Sequence, residues 1–172
     1  MKHPIPHLAA LLCALALCLS LLTACGGSSA ETEPAGVCTV SISCATILDN
    51  RGQLNAATAD YVPDEGVIIP TTEVTFAAGE TAFDLLQRVC RKNNIPMESS
   101  WSPLYKSAYI EGIANLYEFD CGKLSGWMYS VNGEFPNYGC SAYALQDGDV
   151  ICWVYTCDLG EDVGGGYAAS GE

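Results

Sequence analysis

The sequence predicts an α+β domain of the β-grasp kind: one main helix packed on a small mixed sheet, stabilised by disulfides. Three observations carry this. One segment alone has clear helical periodicity and caps, and it is flanked by short runs of period-two alternation. Turn signals separate those runs. Cysteines outside the N-terminal segment are numerous for an ordinary reduced protein of this size.

Cys38, Val40, Ile42 and Cys44 alternate with Thr39, Ser41 and Ser43, which predicts a half-buried strand. Residues 49–66 are polar and irregular, with a short helix expected near Leu54–Tyr61. Val67–Ile69 and Val74–Phe76 read as a strand region interrupted by Pro70. The helix follows Gly79-Glu80-Thr81. Thr81 can cap it, and Asp84 stands where a capping box places Glu or Gln. Ala82, Leu85, Leu86 and Val89, with Phe83 and Cys90, make one apolar stripe. Asp84 near the start and Arg88, Arg91 and Lys92 near the end suit the helix dipole. Asn93-Asn94-Ile95-Pro96 stops it. Tyr109–Ile113 and Tyr117–Phe119 are short strand candidates. Trp127–Val131 alternates and meets Asn132-Gly133, the strongest short hairpin signal. Asp147-Gly148-Asp149 makes a turn into a last strand, Val150–Tyr155.

The ends of the chain read differently. Leu8–Leu22 is an apolar run behind Lys2, too short to span a membrane comfortably. It ends in Leu22-Thr23-Ala24-Cys25, which resembles a bacterial lipobox. That resemblance implies a signal peptide over residues 1–24 and lipidation of Cys25. Residues 25–36 are then the lipidated cysteine and a flexible tether. Residues 37–159 are the folded domain, and 160–172 a disordered tail rich in Gly, Ala and acids. The expected location is the extracytoplasmic face of a bacterial cell membrane, with the lipid anchor as the membrane contact.

Charge and composition exclude function classes. The chain of 172 residues has 20 Asp+Glu against 7 Lys+Arg, a net charge of −13, so no nucleic-acid partner is expected. Both histidines, His3 and His7, lie in the predicted signal. The remaining chain cannot run a Ser-His-Asp or Cys-His mechanism, and no enzyme activity is expected.

Beyond Cys25 the cysteines are Cys38, Cys44, Cys90, Cys121, Cys140, Cys152 and Cys157. Zinc sites favour pairs two to four residues apart, and the smallest separation here is five, so no metal is expected. The Asp-Gly-Asp turn lacks the remainder of a calcium loop. Disulfides are the expected use of Cys38, Cys44, Cys90, Cys121, Cys140 and Cys157, with connectivity open among fifteen arrangements. Cys152, inside a strand-like run, is the candidate for the unpaired one.

Gly79-Glu80-Thr81, then Gly126-Trp127-Met128-Tyr129-Ser130-Val131-Asn132-Gly133, then Leu145-Gln146-Asp147-Gly148-Asp149 before an aromatic strand resemble the transcobalamin C-terminal-like domain. The same pattern resembles a group of uncharacterised bacterial lipoproteins and surface proteins that carry this domain. The resemblance spans 37–159 and implies a β-grasp-like fold. In transcobalamin the domain closes over cobalamin beside a larger helical domain. Residues 37–159 hold neither such a helical domain nor a histidine to coordinate cobalt. The expectation is therefore a non-catalytic binding module without a resident cofactor, capturing a small ligand such as a corrinoid or glycan. The ligand-binding candidates are Trp127, Tyr129, Asn132, Tyr138 and Tyr143. Aromatic faces beside polar side chains suit sugar rings or flat ligands. Trp153 and Phe119 are expected in the core. The alternative is a surface module for protein–protein interaction or adhesion.

Overall fold

Cys38, Val40 and Ile42 are buried on one side of strand β1 (Gly36–Ser43), while Thr39, Ser41 and Ser43 are half-exposed on the other. The computed structural model describes residues 33–166, so the predicted signal peptide, Cys25 and most of the tether lie outside the described residues. β1 is an interior strand of a four-stranded mixed sheet in the order β2-β1-β7-β6. It pairs antiparallel with β2 (Val67–Phe76) and parallel with β7 (Val150–Thr156), and β6 (Gly126–Val131) closes the other edge antiparallel to β7. Thr39–Ser43 lies opposite Val150–Val154, so the first and last strands are neighbours. The fold is α+β.

Pro70 does not interrupt β2 as the sequence suggested. Val40 faces Thr72 and Ile42 faces Ile69, so two residues of β2, Pro70 and Thr71, stand opposite Ser41 alone. This is a bulge on an edge strand, where a missing N–H costs no ladder bond. The expected helix near Leu54–Tyr61 is replaced by shorter pieces: α1 (Thr46–Asp49) and 3-10 turns at Arg51–Gln53 and Ala59–Tyr61.

The main helix, α2 (Ala82–Lys92), buries Ala82, Leu85, Leu86, Val89 and Cys90 in the same core as Val40 and Ile42. Its capping box is complete, with Asp at the position usually held by Glu. The Asp84 N–H donates to Thr81 Oγ1 at 3.2 Å, and the Thr81 N–H donates to Asp84 Oδ2 at 3.0 Å. At the other end Asn94 adopts a φ of 54°. That left-handed turn lets Ile95 N–H return to the Cys90 carbonyl at 2.9 Å and Asn94 N–H to Arg91 at 3.3 Å. These two bonds form a Schellman cap.

A second, three-stranded antiparallel sheet follows in the order β3-β4-β5, from Met97–Ser102, Ser107–Ile113 and Leu116–Tyr117. Phe119 departs from the expected core position. Its φ is 68° and it is 63% exposed, because the chain reverses there and Phe119 N–H closes on the Ser125 carbonyl. Leu116 fills the core in its place.

Asn132 and Gly133 both have positive φ, 54° and 86°, and Val131 and Glu134 exchange backbone hydrogen bonds across them. This is a tight primed turn. The chain leaves after Glu134, and the strand partner of β6 is β7. Within the expected tail, residues 160–166 are described and hydrogen-bonded to the end of β7, and residues 167–172 lie outside the described residues. Asp162 accepts hydrogen bonds from the Thr156 hydroxyl and from Cys157 N–H, the latter at 2.7 Å, and Gly165 N–H returns to Gly160.

The expected disulfide framework is not formed in this structure. Cys38, Cys44, Cys90, Cys121, Cys140 and Cys157 are buried thiols, and Cys152 is a half-exposed one. Each buried thiol packs as a small apolar group, and burial pushes Cys38, Cys44 and Cys90 up to about 11. Cys152 lies between Ser41 and Ser130 on the outward face of the sheet. Among the described residues no helix is long and apolar enough to cross a membrane.

Candidate functional site

β6 and β7 set their aromatic residues side by side. Tyr129 is the cross-strand partner of Trp153, and their rings stack at 5.4 Å and 29°. Trp127 is the partner of Tyr155 and meets it edge-on at 5.2 Å and 81°. Each polar tip but one is satisfied. Trp127 Nε1 donates to the Leu116 carbonyl at 2.8 Å, and the Tyr155 hydroxyl donates to the Tyr117 carbonyl at 2.7 Å. Trp153 is 1% exposed, and its indole N–H has no hydrogen-bond partner among the described residues. A buried donor left without a partner is costly.

Three of these rings, those of Trp127, Tyr129 and Trp153, wall a cavity of about 240 Å³. Trp127, Tyr129 and Trp153 come from the four-stranded sheet, and Ala108, Tyr109 and Ile110 from β4. The loop after β6 supplies Phe135, Asn137, Tyr138 and Cys140. No charged side chain lines it, although the chain as a whole is strongly acidic.

The loop is held by a network that the turns dictate. Ser141 Oγ accepts from Ala108 N–H at 3.0 Å, and Ser107 Oγ accepts from Ser141 N–H at 3.2 Å. Gly139 is required beside them, since a Cβ there would stand 2.0 Å from Ser107 Oγ. The Tyr129 hydroxyl donates to the Tyr138 carbonyl at 2.8 Å. Burial raises the Tyr129 phenol well above its usual range, and it raises Cys140 to about 11. Tyr109 is raised by burial and by donating to Glu118.

The centre of the network is Asp149, 4% exposed. Its Oδ1 accepts from Asn132 Nδ2 at 3.0 Å. Its Oδ2 accepts from the Tyr143 hydroxyl and from Gln146 N–H, both at 2.8 Å. Asn132 Oδ1 in turn accepts from Val150 N–H at 2.8 Å. Burial, then the bond to Asp149, pushes the Tyr143 phenol up to about 12, so it remains a donor through the ordinary pH range.

The five sequence candidates therefore divide. Trp127, Tyr129 and Tyr138 meet at the cavity. Asn132 and Tyr143 do not line it; they converge on Asp149 instead, and Tyr143 stacks behind Tyr138 at 6.4 Å. Tyr105, Tyr109, Phe135 and Trp153 also line the cavity and were not among those candidates. For Trp153 the signal was its alternation within Val150–Tyr155 opposite Tyr129. Phe135 carried none, because its position depends on where the loop folds. Beside the mouth, the β3–β4 hairpin exposes Trp101 at 62%, Leu104 at 81% and Tyr105 at 69%. No group of three or more His, Cys, Asp or Glu is placed to hold a metal ion among the described residues.

Comparison with known proteins gives three likenesses. A family model described as "Domain of unknown function (DUF4430)" matches residues 79–157, from the turn before α2 to the end of β7. The structure of haptocorrin in complex with Cbi is 18% identical, with a TM-score of 0.46 over 72% of this chain. The chain spans only 26% of that haptocorrin chain. A protein from Ruminococcus gnavus ATCC 29149, provisionally described as metal binding, is 16% identical, with a TM-score of 0.38, over 70% of this chain and 96% of its own. No curated protein matches.

Substitution of Asp149 should loosen the loop and the turn together. Asp149→Ala leaves three donors without their acceptor and is expected to lower stability by about 3 kcal/mol. Urea denaturation measures it; a loss below about 1 kcal/mol would show that the carboxyl group does not hold the network.

Proposed function

We propose that the protein is a non-catalytic binding module that captures a small uncharged ligand in the aromatic cavity between β4, β6, β7 and the loop after β6. The observation that carries this is a concave, aromatic, charge-free cavity in a chain of net charge −13. Aromatic walls with a few polar groups are the usual make-up of small-molecule sites. At about 240 Å³ the cavity is smaller than the roughly 300–1,000 Å³ of sites for drug-sized ligands. It suits one ring: the end of a glycan, or the edge of a corrinoid. A sugar ring would lay its C–H face on Tyr109 or Tyr138.

The likeness to haptocorrin with its bound Cbi motivates the corrinoid arm of this reading, and the packing of α2 with the mixed sheet supports a β-grasp-like description. The absence of histidine after residue 7 supports a role without catalysis. The lipobox-like Leu22-Thr23-Ala24-Cys25 supports lipid anchoring at the extracytoplasmic face.

A second reading has its own observation. Trp101, Leu104 and Tyr105 form an exposed apolar hairpin tip, and such a patch favours docking of a partner protein.

Calorimetry with mono- and oligosaccharides and with cobalamins separates the two. The binding reading expects heat with a member of the panel, a loss of about tenfold on Tyr138→Ala, and no change on Trp101→Ala. Silence across the whole panel sinks it. Crosslinking of a partner that Trp101→Ala abolishes would favour the docking surface instead. For the anchor, Cys25→Ala should move the protein from the membrane to the soluble fraction; a wild-type protein already soluble would contradict lipidation.

A further inference from the structure

We infer that the free edge of β6 pairs with one residue of an extended peptide, whose uncharged side chain enters the aromatic cavity. A peptide is a further occupant of that cavity, and its binding does not depend on a saccharide or a corrinoid filling the site.

The hydrogen-bond phase of the four-stranded sheet leaves this edge free. β1 and β7 run parallel, and Thr39 N–H donates to the Asp149 carbonyl at 2.8 Å. A parallel ladder in that phase directs the backbone of Ile151, Trp153 and Tyr155 to β1, which leaves Cys152 and Val154 to bond β6. Asn132 N–H, donating to the Val150 carbonyl at 2.9 Å, sets the same phase from the other side. The hydrogen-bonded pairs are therefore Met128 with Val154 and Ser130 with Cys152. Trp127 and Tyr129 send their N–H and C=O groups the other way, off the edge of the sheet. Val131, in the same phase, exchanges both of its groups with Glu134, at 2.8 and 2.9 Å. Trp127 and Tyr129 have no such partner: among the described residues none of their backbone N–H and C=O groups makes a hydrogen bond.

This edge opens on the cavity. Trp127, Met128 and Tyr129 all line it, as does the run Ser107–Ile110 of β4. Consecutive residues of a strand send their side chains to opposite faces, so a space that meets all of them meets the strand's edge. Trp127 is 8% exposed, and backbone polar groups of buried residues are nearly always paired. β6 also lacks the usual guards of an edge strand. Gly126–Val131 holds no proline and no charged residue, and its register against β7 has no bulge.

The complement to such an edge is one residue of an extended chain. Its own N–H and C=O lie on one side, at the spacing that Tyr129 presents. A single trans amide, by contrast, points its N–H and C=O in opposite directions. Residues opposite each other in a strand pair share a face, so the guest side chain lies beside the Tyr129 ring, on the face where Trp153 stacks. No charged side chain lines the cavity, so an ionised guest side chain would lose its hydration without gaining a partner. Main-chain bonds then supply affinity, and the aromatic walls select the side chain.

The test is titration of the full chain with acetyl-Ala-Tyr-Ala-amide, followed in proton–nitrogen correlation spectra, beside the same peptide methylated on the tyrosine nitrogen. The expected result is a downfield shift and slower solvent exchange of the Tyr129 amide proton. The methylated peptide, which has lost the donor, should bind about tenfold more weakly. Unmoved Trp127 and Tyr129 amides, or equal affinity for the two peptides, would overturn the inference. Saccharides and cobalamins titrated in parallel separate it from the proposed function. Their binding with peptide silence overturns the inference and leaves that function standing, and peptide binding with their silence does the reverse.

Discussion

The buried carboxyl group of Asp149 ties three parts of the chain together at one point. It takes the Asn132 side chain from the turn after β6, the Tyr143 hydroxyl from the end of the cavity loop, and the Gln146 N–H from the turn before β7. Hydrogen bonds to such a group are among the stronger ones a protein makes, about 1.5–3 kcal/mol each. Asn132 passes the constraint on to Val150 N–H at the start of β7. The loop that covers the aromatic face is thereby tied to the same residue that sets the register of the last strand.

The cavity follows from that tie. Tyr129 and Trp153 are brought together by strand pairing, and strand pairing alone would leave their stacked face open. The loop from Phe135 to Cys140 closes over it because Ser141, Ser107 and Ala108 pin its far end to β4, while Tyr143 on Asp149 pins the rest. The Tyr129 hydroxyl, held protonated by burial, spans to the Tyr138 carbonyl. The result is an apolar, uncharged space in a protein whose sequence carries nearly three acids for every cation. Such a charge balance repels anionic ligands at long range, and the interior offers them no counter-charge.

Local chemistry was readable in the sequence, and long-range pairing was not. The main helix could be read because Thr81, Asp84, the apolar stripe and Asn94 all act within a few residues of one another. β1 could be read because its alternation matches one buried face. β3 could not, because Met97-Glu98-Ser99-Ser100-Trp101-Ser102 is largely exposed and is a strand only through pairing with β4. Pro70 signals a break by residue type, yet an edge bulge accommodates it. Phe119 suggests core by type, yet its left-handed backbone turns it out to solvent. At the site, Trp127, Tyr129 and Tyr138 were legible as aromatics near turns. Trp153 is both a core residue and a cavity wall, two roles that one buried position in a strand cannot distinguish in sequence. Asn132 and Tyr143 were singled out beside those aromatics, but their polar groups converge on a carboxyl group that sequence reading had placed in a simple turn.

The most direct test of this account is the set of three tryptophan indole N–H resonances in a proton–nitrogen correlation spectrum during titration with the saccharide and cobalamin panel. Trp153 and Trp127 line the cavity, and Trp101 stands on the exposed hairpin. The account predicts that a binding ligand moves the Trp153 and Trp127 signals, because both rings line the cavity, and leaves Trp101 in place. A ligand that shifts Trp101 alone, or a panel that shifts none of the three, would contradict it.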